Sequence, residues 1–418
     1  MPEDHSDVHI VGIDMTKLGK FPDKSIKMLT KEAVDGALAD AGLEQTDIEA
    51  AWFANTRQAL LEGQNTIRGQ CALRSMGFES IPIANVENAC ASSSTALLQA
   101  FAHIKAGMVD IALVVGAEKM FFPEQREAGL KAFIGGADVH DLERTKARLA
   151  TMGDGVKPPE NTEQPSGDHS FFMDIYAAMA RFHMEKFGTT AEQYAAVAAK
   201  NHWHSTMNPL SQYQIDMSVE EVLNDKLITW PFTRSMCAPI SDGAAAAIVC
   251  SDRALAKLDA SRAVKIEAIA LVSGTNREPG ELDQHIGRRA ALKAYDMAGI
   301  SPGDIDVAEV HDASAYAEIQ QIENLGFCPS GEGGPFTESG ATKLGGSIPV
   351  NTSGGLLSKG HPIGATGLIQ LHELTVQLRG EAGRRQVEGA RIGVAENGGG
   401  FYGVEEAATV VAILSQHP

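Results

Sequence analysis

The chain has 418 residues, more than a single hydrophobic core normally supports, so its length predicts two or three domains. Hydrophobic residues make up 44% of it and aromatic residues only 6%, a composition typical of an α/β protein with closely packed helices and sheets. The net charge of −19 argues against broad electrostatic binding to nucleic acid or to an anionic membrane.

The N-terminus and the thiols predict a cytoplasmic protein. Residues 1–5 lack the basic and apolar segments of a secretory signal, and no apolar run approaches the roughly 20 residues that span a bilayer. The five cysteines are an odd number without a C-x-x-C pair, which predicts reduced thiols and no metal site. Four of them are expected to pack as small hydrophobic residues: Cys71, Cys237, Cys250 and Cys328.

Hydrophobic patterning predicts strands that alternate with helices along the chain. The predicted strands are Val8 to Ile13, Ala50 to Ala54, Ile111 to Val115, Ala244 to Val249, Val264 to Val272 and Val307 to Val310. The predicted helices are Lys31 to Asp40, Asp174 to Phe187, Ala191 to His202 and Arg288 to Met297. Charges, glycines and prolines between Glu143 and Asp168 interrupt the pattern, which predicts an excursion over the core that caps the active face.

One pair of similar segments indicates an internal duplication. Ala41-Gly42-Leu43, followed by Asp47-Ile48-Glu49, recurs as Ala298-Gly299-Ile300, followed by Asp304-Ile305-Asp306. Each copy follows a predicted helix and precedes a predicted buried strand, and its glycine is a plausible helix C-cap. Any α/β protein repeats such units, so a second alignment is needed.

The second alignment places a thiol opposite an imidazole. The stretch Cys90 to Gln99 is similar to His361 to Gln370, with Cys90 opposite His361 at the start of each helical run. A thiol nucleophile and an imidazole base at equivalent positions of two halves predict acyl-transfer chemistry. The alternative, a buried Cys90 and a helix-capping His361, does not explain the common register.

A long motif identifies the family that the chain resembles. Ser353-Gly354-Gly355-Leu356-Leu357-Ser358-Lys359-Gly360-His361-Pro362-Ile363-Gly364-Ala365-Thr366-Gly367 is similar to a motif of the thiolase superfamily, and further phrases resemble its sterol-carrier-protein-2 group. The resemblance implies an α/β thiolase fold of two duplicated βαβαβαββ halves in a layered αβαβα arrangement with a loop or cap insertion. It places the N-terminal half at 1–120 and 241–262, the cap at 121–240 and the C-terminal half at 263–418.

The resemblance also implies roles for residues. Cys90 would attack a 3-oxoacyl-CoA, its pKa lowered by the helix N-terminus, and His361 would be the base that activates it. His311, in a family motif at the end of a predicted strand, would form one oxyanion hole with His361. The backbone N–H groups of Cys90 and Gly398 would form the other.

The chain departs from the family at the second proton-transfer group. Thiolases carry another cysteine at one of two positions, which here read Ala313 and Glu396. A carboxyl group in a dry pocket can act as acid and base, so Glu396 is the first substitute, against the alternative of a surface salt bridge. Three further candidates are Tyr316, Tyr402 and His169.

Three functions remain open at this point. Thiolysis or condensation of a 3-oxoacyl-CoA comes first, retro-aldol cleavage of a 3-hydroxyacyl-CoA second, and binding of a CoA ester without catalysis third. CoA is expected as cosubstrate with no tightly bound cofactor. Ser358 and Lys359 resemble residues close to the cosubstrate, although Lys359 is also compatible with a solvated charge.

The family resemblance further implies partners and an acyl-binding region. A homodimer or a dimer of dimers is expected, and related proteins work with a small accessory subunit that carries a zinc ribbon and an OB-like domain. Phe121, Phe122 and Gly135-Gly136 are candidates for the lining of an acyl tunnel. The acyl-chain specificity and the direction of the reaction stay open.

Overall fold

A computed structural model describes residues 7–160, 162 and 169–417 of the chain. The expectation about residues 1–5, and the part of the predicted excursion at 161 and 163–168, lie outside these residues. No helix in the described part of the chain is long and apolar enough to cross a membrane.

The strands of the described residues run along the whole chain. They are β1 Val8–Met15, β2 Ala50–Ala54, β3 Ile83–Val86, β4 Ile111–Glu118, β5 Leu227–Thr229, β6 Phe232–Thr233, β7 Gly243–Ser251, β8 Val264–Ser273, β9 Val307–Glu309, β10 Ile392–Gly399 and β11 Ala408–Gln416. The six strands predicted from the sequence are confirmed, with ends that differ by a few residues.

The helices alternate with these strands. They are α1 Ile26–Ala41, α2 Gln58–Leu61, α3 Arg68–Leu73, α4 Ser92–Lys105, α5 Arg126–Ala132, α6 Leu142–Thr151, α7 Phe171–Phe187, α8 Ala191–Ser205, α9 Val219–Leu223, α10 Asp252–Leu255, α11 Ile286–Ala298, α12 Ala315–Asn324, α13 Gly333–Glu338 and α14 Thr366–Leu378. The four predicted helices are confirmed.

The sheet topology confirms the duplication. Nine strands are ordered β3-β2-β4-β7-β1-β8-β11-β10-β9, and a parallel bridge from Ala308 to Val350 extends the second edge. The order from β3 to β1 is therefore repeated from Val350 through β9, β10 and β11 to β8. The two copies meet at a short antiparallel contact, where His9 faces Lys265 and Ile10 faces Val264.

Two central helices occupy the space between the halves. One buried cluster contains residues of α4 and α14 together with the inner faces of both half-sheets, among them Leu97, Leu368 and Val114. Helix α1 packs on the outer face of the first half, and α11 packs on the outer face of the second. Because alternate strand residues point to opposite faces, each half-sheet is buried on both sides. The layers are αβαβα, as the resemblance implies.

The two repeated glycines end equivalent helices. Gly42 follows α1 with φ 64°, and Gly299 follows α11 with φ 69°, both in the left-handed region that glycine tolerates. Helix α1 begins earlier than the periodicity indicates because Ser25 accepts a hydrogen bond from the Met28 N–H and caps it.

The insertion folds over one end of the central helices. Residues of α7 and α8 form a buried cluster with α12, in which Tyr194 and Phe232 are the fully buried aromatic members. Helix α6 lies within the polar stretch that the sequence predicts to be an excursion. The predicted domain boundaries fall in the connections after β4, before β7 and before β8.

Candidate active site

Cys90 lies on a sharp turn between β3 and α4. The residue before it, Ala89, has φ 48°, a left-handed conformation that is uncommon for a residue with a Cβ. Ser92 fixes the turn, because its hydroxyl donates to the Ala89 carbonyl at 2.6 Å and accepts from the Asn88 N–H at 2.8 Å. The turn presents the Cys90 side chain to a cavity.

His361 lies at the equivalent place before α14 and is held on two sides. Its backbone N–H donates to the Ser241 hydroxyl at 2.9 Å, and its Nδ1 lies 2.7 Å from the Thr366 hydroxyl. That hydroxyl donates to the Pro362 carbonyl at 3.2 Å, so Nδ1 carries the ring proton in this network. Nε2 then has a free lone pair, as a base requires.

Cys90, His311 and His361 converge on one point. The Cys90 sulfur and one ring nitrogen of each histidine all lie within 4.8 Å of one another. The two rings meet edge to face, with centroids 5.2 Å apart. These are also the only His, Cys, Asp or Glu side chains of the described residues grouped closely enough to hold a metal ion, which would occupy the thiol.

His311 carries a neutral imidazole. It follows β9 and is buried, and neither ring nitrogen has a hydrogen-bond partner among the described residues. Burial lowers the pKa of His311 to about 4, so the ring is uncharged at neutral pH. An uncharged ring can donate one N–H to a substrate oxygen, as the oxyanion-hole prediction requires.

The environment of Cys90 corrects one expectation. The sequence predicts that the helix N-terminus lowers the pKa of the thiol, but burial raises this pKa to about 12. The positive charge of Arg57 and hydrogen bonds from the Gly400 and Cys90 N–H groups oppose the rise without cancelling it. Cys90 therefore rests as a thiol, and its activation depends on a base.

His361 is able to accept the thiol proton. Burial, together with the nearby His311 and Arg57, lowers its pKa well below the usual value, so its ring is neutral. The catalytic roles of Cys90, His311 and His361 stay predictions, which the convergence of the three side chains supports.

The three side chains line a cavity of about 370 Å³. Much of its apolar wall comes from the insertion, as expected of a cap: Leu130, Phe133, Phe172, Met173 and Ile228. Besides His311 and His361, the basic side chains of the lining are Lys20, Arg57, Arg126, His169 and Arg234. Among the described residues, the lining contains no carboxylate.

Glu396 lies behind His311. It is fully buried on β10, and its Oε2 accepts the His311 backbone N–H at 3.1 Å. Burial raises its pKa well above the usual value, as predicted, but its side chain does not line the cavity. The geometry fits a positioning role better than proton transfer, and the alternative of a surface salt bridge is wrong.

Three other predicted site residues do not line the cavity. Gly398 is paired with Thr409 inside the sheet, whereas Gly400 lines the cavity and donates its N–H to the Cys90 sulfur. Ser358 and Lys359, expected close to CoA, are both buried.

Ser358 and Lys359 belong to polar networks of the core. The Ser358 hydroxyl lies 2.6 Å from that of Ser205, and Lys359 Nζ donates to Ser353 at 2.6 Å and to Glu309 at 3.1 Å. The structure thus gives neither residue a role in binding CoA, and Lys359 is not a solvated charge.

The remaining candidates separate by position. His169 lines the cavity and lies 2.8 Å from an Asp174 carboxylate oxygen. Tyr316 is buried outside the lining, and Tyr402 is 56% exposed. Of the residues predicted to line an acyl tunnel, only Gly136 lines the cavity. Met120 lines it as well, whereas the adjacent Phe121 and Phe122 do not.

Two residues of the site carry no recognisable sequence signal. In the sequence, Tyr176 of α7 is one aromatic residue of an apolar helix and has no distinguishing motif. In the structure it lines the cavity, close enough to Cys90 for their charges to interact. Arg57 follows β2, which runs parallel to β4. The rule that parallel strands end at one edge of a sheet could have indicated Arg57, had the strand order been known.

Two family models match the chain. The description "Thiolase, N-terminal domain" covers residues 8–220, and "Thiolase C-terminal domain-like" covers residues 274–416. Together they include Cys90, His311 and His361.

Curated relatives and solved structures agree with these matches. The chain is 40% identical to an acetyl-CoA acetyltransferase of Methanothermobacter thermautotrophicus, over 95% of this chain and 97% of the relative. It is 37% identical to sterol carrier protein 2 of Oryctolagus cuniculus, over 93% of this chain and 69% of the relative. A solved structure described as "Ltp2-ChsH2(DUF35) aldolase" shares the fold, with a TM-score of 0.75, 23% identity and 97% coverage of each chain.

Proposed function

The chain belongs to the thiolase family and is an acyltransferase, and from this premise we propose that it cleaves or forms a 3-oxoacyl-CoA through an acyl-Cys90 intermediate. The observation that carries the proposal is the convergence of the Cys90 sulfur with the His361 and His311 nitrogens inside one cavity. A protein that only binds CoA esters has no need of this arrangement.

In the cleavage direction, His361 Nε2 takes the proton from the Cys90 thiol. The sulfur attacks the 3-oxo carbon, and its oxygen becomes an oxyanion, for which the Cys90 and Gly400 N–H groups are the candidate donors. Collapse breaks the bond between carbons 2 and 3 and leaves the acyl group on Cys90. The departing enolate of the shorter acyl-CoA has its oxygen close to His311 and His361, and CoA then removes the acyl group from sulfur.

The enolate carbon needs a proton. Among the described lining residues, the Tyr176 hydroxyl is our candidate for the proton donor that replaces the missing thiol. Its hydroxyl makes no hydrogen bond to a described residue, and burial with nearby Glu406 and Cys90 raises its pKa. A phenol that keeps its proton can donate it to the carbon and recover it from the protonated His361. No net proton is consumed, since the one delivered is the one that left Cys90.

A retro-aldolase is the second candidate function. The absence of a thiol at Ala313 and Glu396 keeps it open, because the second proton-transfer group of thiolases is missing there. A base removes the proton of a 3-hydroxyl group, and the bond between carbons 2 and 3 breaks to give a carbonyl compound and the enolate of an acyl-CoA. The protonated base then returns its proton to carbon 2 of the enolate, and the acyl-CoA leaves.

We also propose how the chain binds CoA and assembles. Lys20, Arg126 and Arg234 are exposed at the cavity, Arg234 in an ion pair with Asp225, and supply positive charge for the phosphates of CoA, with no tightly bound cofactor. The edge strand β3 has exposed residues, which supports a homodimer or dimer of dimers formed along that edge. Light scattering tests the mass, and copurification from the native cytoplasm tests for a small accessory subunit with a zinc ribbon.

Intact-mass measurement tests the reaction. After mixing with an acyl-CoA or 3-oxoacyl-CoA, the chain should gain one acyl group. Cys90→Ser should abolish the gain, and the half-buried Cys71, which the variant retains, is the internal control. Product formation without an adduct, with Cys90→Ala still active, would favour the retro-aldolase. No turnover with either substrate class would leave only CoA-ester binding.

A further inference from the structure

The cations of the active-site cavity lie at two depths. Lys20, Arg126 and Arg234 are exposed, whereas Arg57 is half-buried and its Nε is shielded from solvent. A cavity lined in this way is unexpected in a chain with 54 acidic and 35 basic side chains, because none of its described lining residues is acidic. The exposed cations are accessible to the phosphates of CoA, whereas the half-buried Arg57 requires a different ligand group.

Arg57 lies close to the reacting sulfur, next to Gly136. Its Nη2 is 3.9 Å from the position that a Cβ on Gly136 would take, and the Gly136 carbonyl oxygen is 3.1 Å from the equivalent position on Gly400. Gly400 in turn donates its N–H to the Cys90 sulfur, and the Arg57 charge lowers the pKa of both Cys90 and His361. The pantetheine arm keeps the CoA phosphates far from the thioester, so they cannot be the partner of this guanidinium.

The guanidinium of Arg57 is only partly satisfied. Nη1 donates to the Ala132 carbonyl at 2.5 Å, and the group lies 5.2 Å from the Phe133 ring centroid. Nε has no acceptor, and Arg57 forms no salt bridge with a described residue. The neighbouring Glu118 accepts the Arg57 backbone N–H and is occupied by donors from Asn55, Thr56 and Gly364 as well.

The Arg57 guanidinium is half-buried, and the nearby Glu118 carboxylate is already occupied by other donors, so the free part of the guanidinium fork can take a carboxylate from a ligand. We propose that Arg57 binds a carboxylate of the acyl group, so that the substrates are CoA thioesters of dicarboxylic acids with an apolar segment between the two ends. This inference rests on the proposed function, because it places the acyl group at Cys90. The apolar wall of Phe133, Phe172 and Met173 accommodates the middle segment.

Matched donors test the proposal. Succinyl-, glutaryl- and adipyl-CoA are compared with butyryl-, pentanoyl- and hexanoyl-CoA, which have equal carbon numbers and no free carboxylate. Calorimetric affinities are measured on the Cys90→Ala chain, where no chemistry occurs, and Cys90 acylation rates are measured by mass on the unmodified chain. The variants are Arg57→Gln, Arg57→Lys and, as a control, Arg74→Gln at an exposed arginine.

We expect a carboxylated donor to bind and react better than its neutral match when its acyl chain is long enough to reach from Cys90 to Arg57. On the Cys90→Ala chain, Arg57→Gln should weaken the affinity for that donor by about a hundredfold and the affinity for its neutral match by less than about threefold, since only the carboxylate loses a charged partner. Acylation of Cys90 by both donors should also slow by a common factor, because Arg57 lowers the pKa of the thiol. Arg57→Lys should recover part of the loss, because it restores the charge without the fork.

Two results would overturn the proposal. One is the absence of a carboxylate preference in all three pairs, and the other is an equal loss of affinity for both members of a pair. If no donor acylates Cys90, the proposed function fails. The affinities measured on the Cys90→Ala chain would still decide the role of Arg57.

Discussion

At the scale of single residues, the site contains a reacting thiol, Cys90, and two residues that prepare it for reaction, His361 and Thr366. Burial raises the pKa of the Cys90 thiol and lowers that of His361, so the resting pair is an uncharged thiol beside an uncharged imidazole. Proton transfer within this pair requires that His361 present its unprotonated Nε2 to the thiol. Thr366 fixes that choice through its hydroxyl.

We expect Thr366→Val to lower kcat by about ten- to a hundredfold, because the His361 tautomer and orientation are then no longer held. KM for the acyl-CoA should change little, since Thr366 does not line the cavity. The alkylation rate of Cys90 by iodoacetamide should fall in parallel. Thr366→Ser keeps the hydroxyl and should retain most of both rates; an equal loss in Thr366→Ser would contradict this role.

Tyr176→Phe tests the source of the carbon proton. The variant keeps the ring and removes the hydroxyl, so cleavage of a 3-oxoacyl-CoA should slow by about a hundredfold. Acylation of Cys90 by a simple acyl-CoA should be nearly unchanged, because that step moves no proton to carbon. Rapid-quench measurement of the two acylation rates distinguishes them.

Glu396→Gln serves as the comparison for Tyr176→Phe. It keeps an oxygen close to the His311 N–H and should affect both acylation rates equally if Glu396 only positions His311. A selective loss of 3-oxoacyl-CoA cleavage in Glu396→Gln, with Tyr176→Phe unaffected, would return the proton transfer to Glu396.

At the scale of elements, Glu118 joins the two halves at the site. It ends β4, is fully buried, and accepts hydrogen bonds from Thr56 after β2 and from the Gly364 N–H after His361. Burial raises its pKa, while these donors favour its charged form. The turn that carries His361 is thus attached to the sheet of the other half.

Glu118→Gln places an NH₂ group against at least one set of N–H donors. We expect a loss of about 1–3 kcal/mol in the free energy of unfolding, measured by urea denaturation, because buried donors lose their acceptor. The turnover should fall by about tenfold or more as His361 moves. Glu124→Gln, at an exposed position of the same region, should change neither quantity. Full activity in a destabilised Glu118→Gln would refute the positional role.

At the scale of the whole molecule, the packing of the two halves and the cap buries carboxyl groups, and a buried carboxyl group makes the stability depend on pH. Glu406, just before β11, is buried beside Glu405 and accepts hydrogen bonds from Gln321, at 3.0 Å, and from its own backbone N–H. Burial raises its pKa to about 7. Because the folded state holds this proton more tightly than the unfolded state, the contribution is complete below about pH 4.5 and is lost as the pH rises through 7.

Glu406→Gln mimics the protonated form, so its stability relative to the unmodified chain should increase with pH. The difference should be small at pH 5 and reach about 3 kcal/mol above pH 8, measured by urea denaturation across this range. Histidines distant from Glu406 titrate equally in both chains and cancel, and His285, 3.7 Å from Glu406, stays neutral because burial holds its pKa well below the usual value. Glu388→Gln, at an exposed carboxylate, should show no such trend, and a constant difference for Glu406→Gln would contradict the assignment.

The sequence determined the parts of this protein that depend on local or repeated patterns. The alternation of strands and helices, the two glycine caps Gly42 and Gly299, and the correspondence of Cys90 with His361 are readable because each is written in neighbouring residues or in a repeat. The family motif around His361 extended this to the fold and to the reacting pair, and the structure places that pair together.

Only the tertiary structure decided which side chains share the cavity and what their charges do. Arg57 and Tyr176 reach it from separate elements, Gly400 replaces Gly398, and Ser358 and Lys359 are buried in the core. Burial, which no local pattern encodes, reverses the expected pKa shift of Cys90. Cavity membership and solvation are sums over residues distant in sequence, so they exist only once the two halves and the cap have packed together.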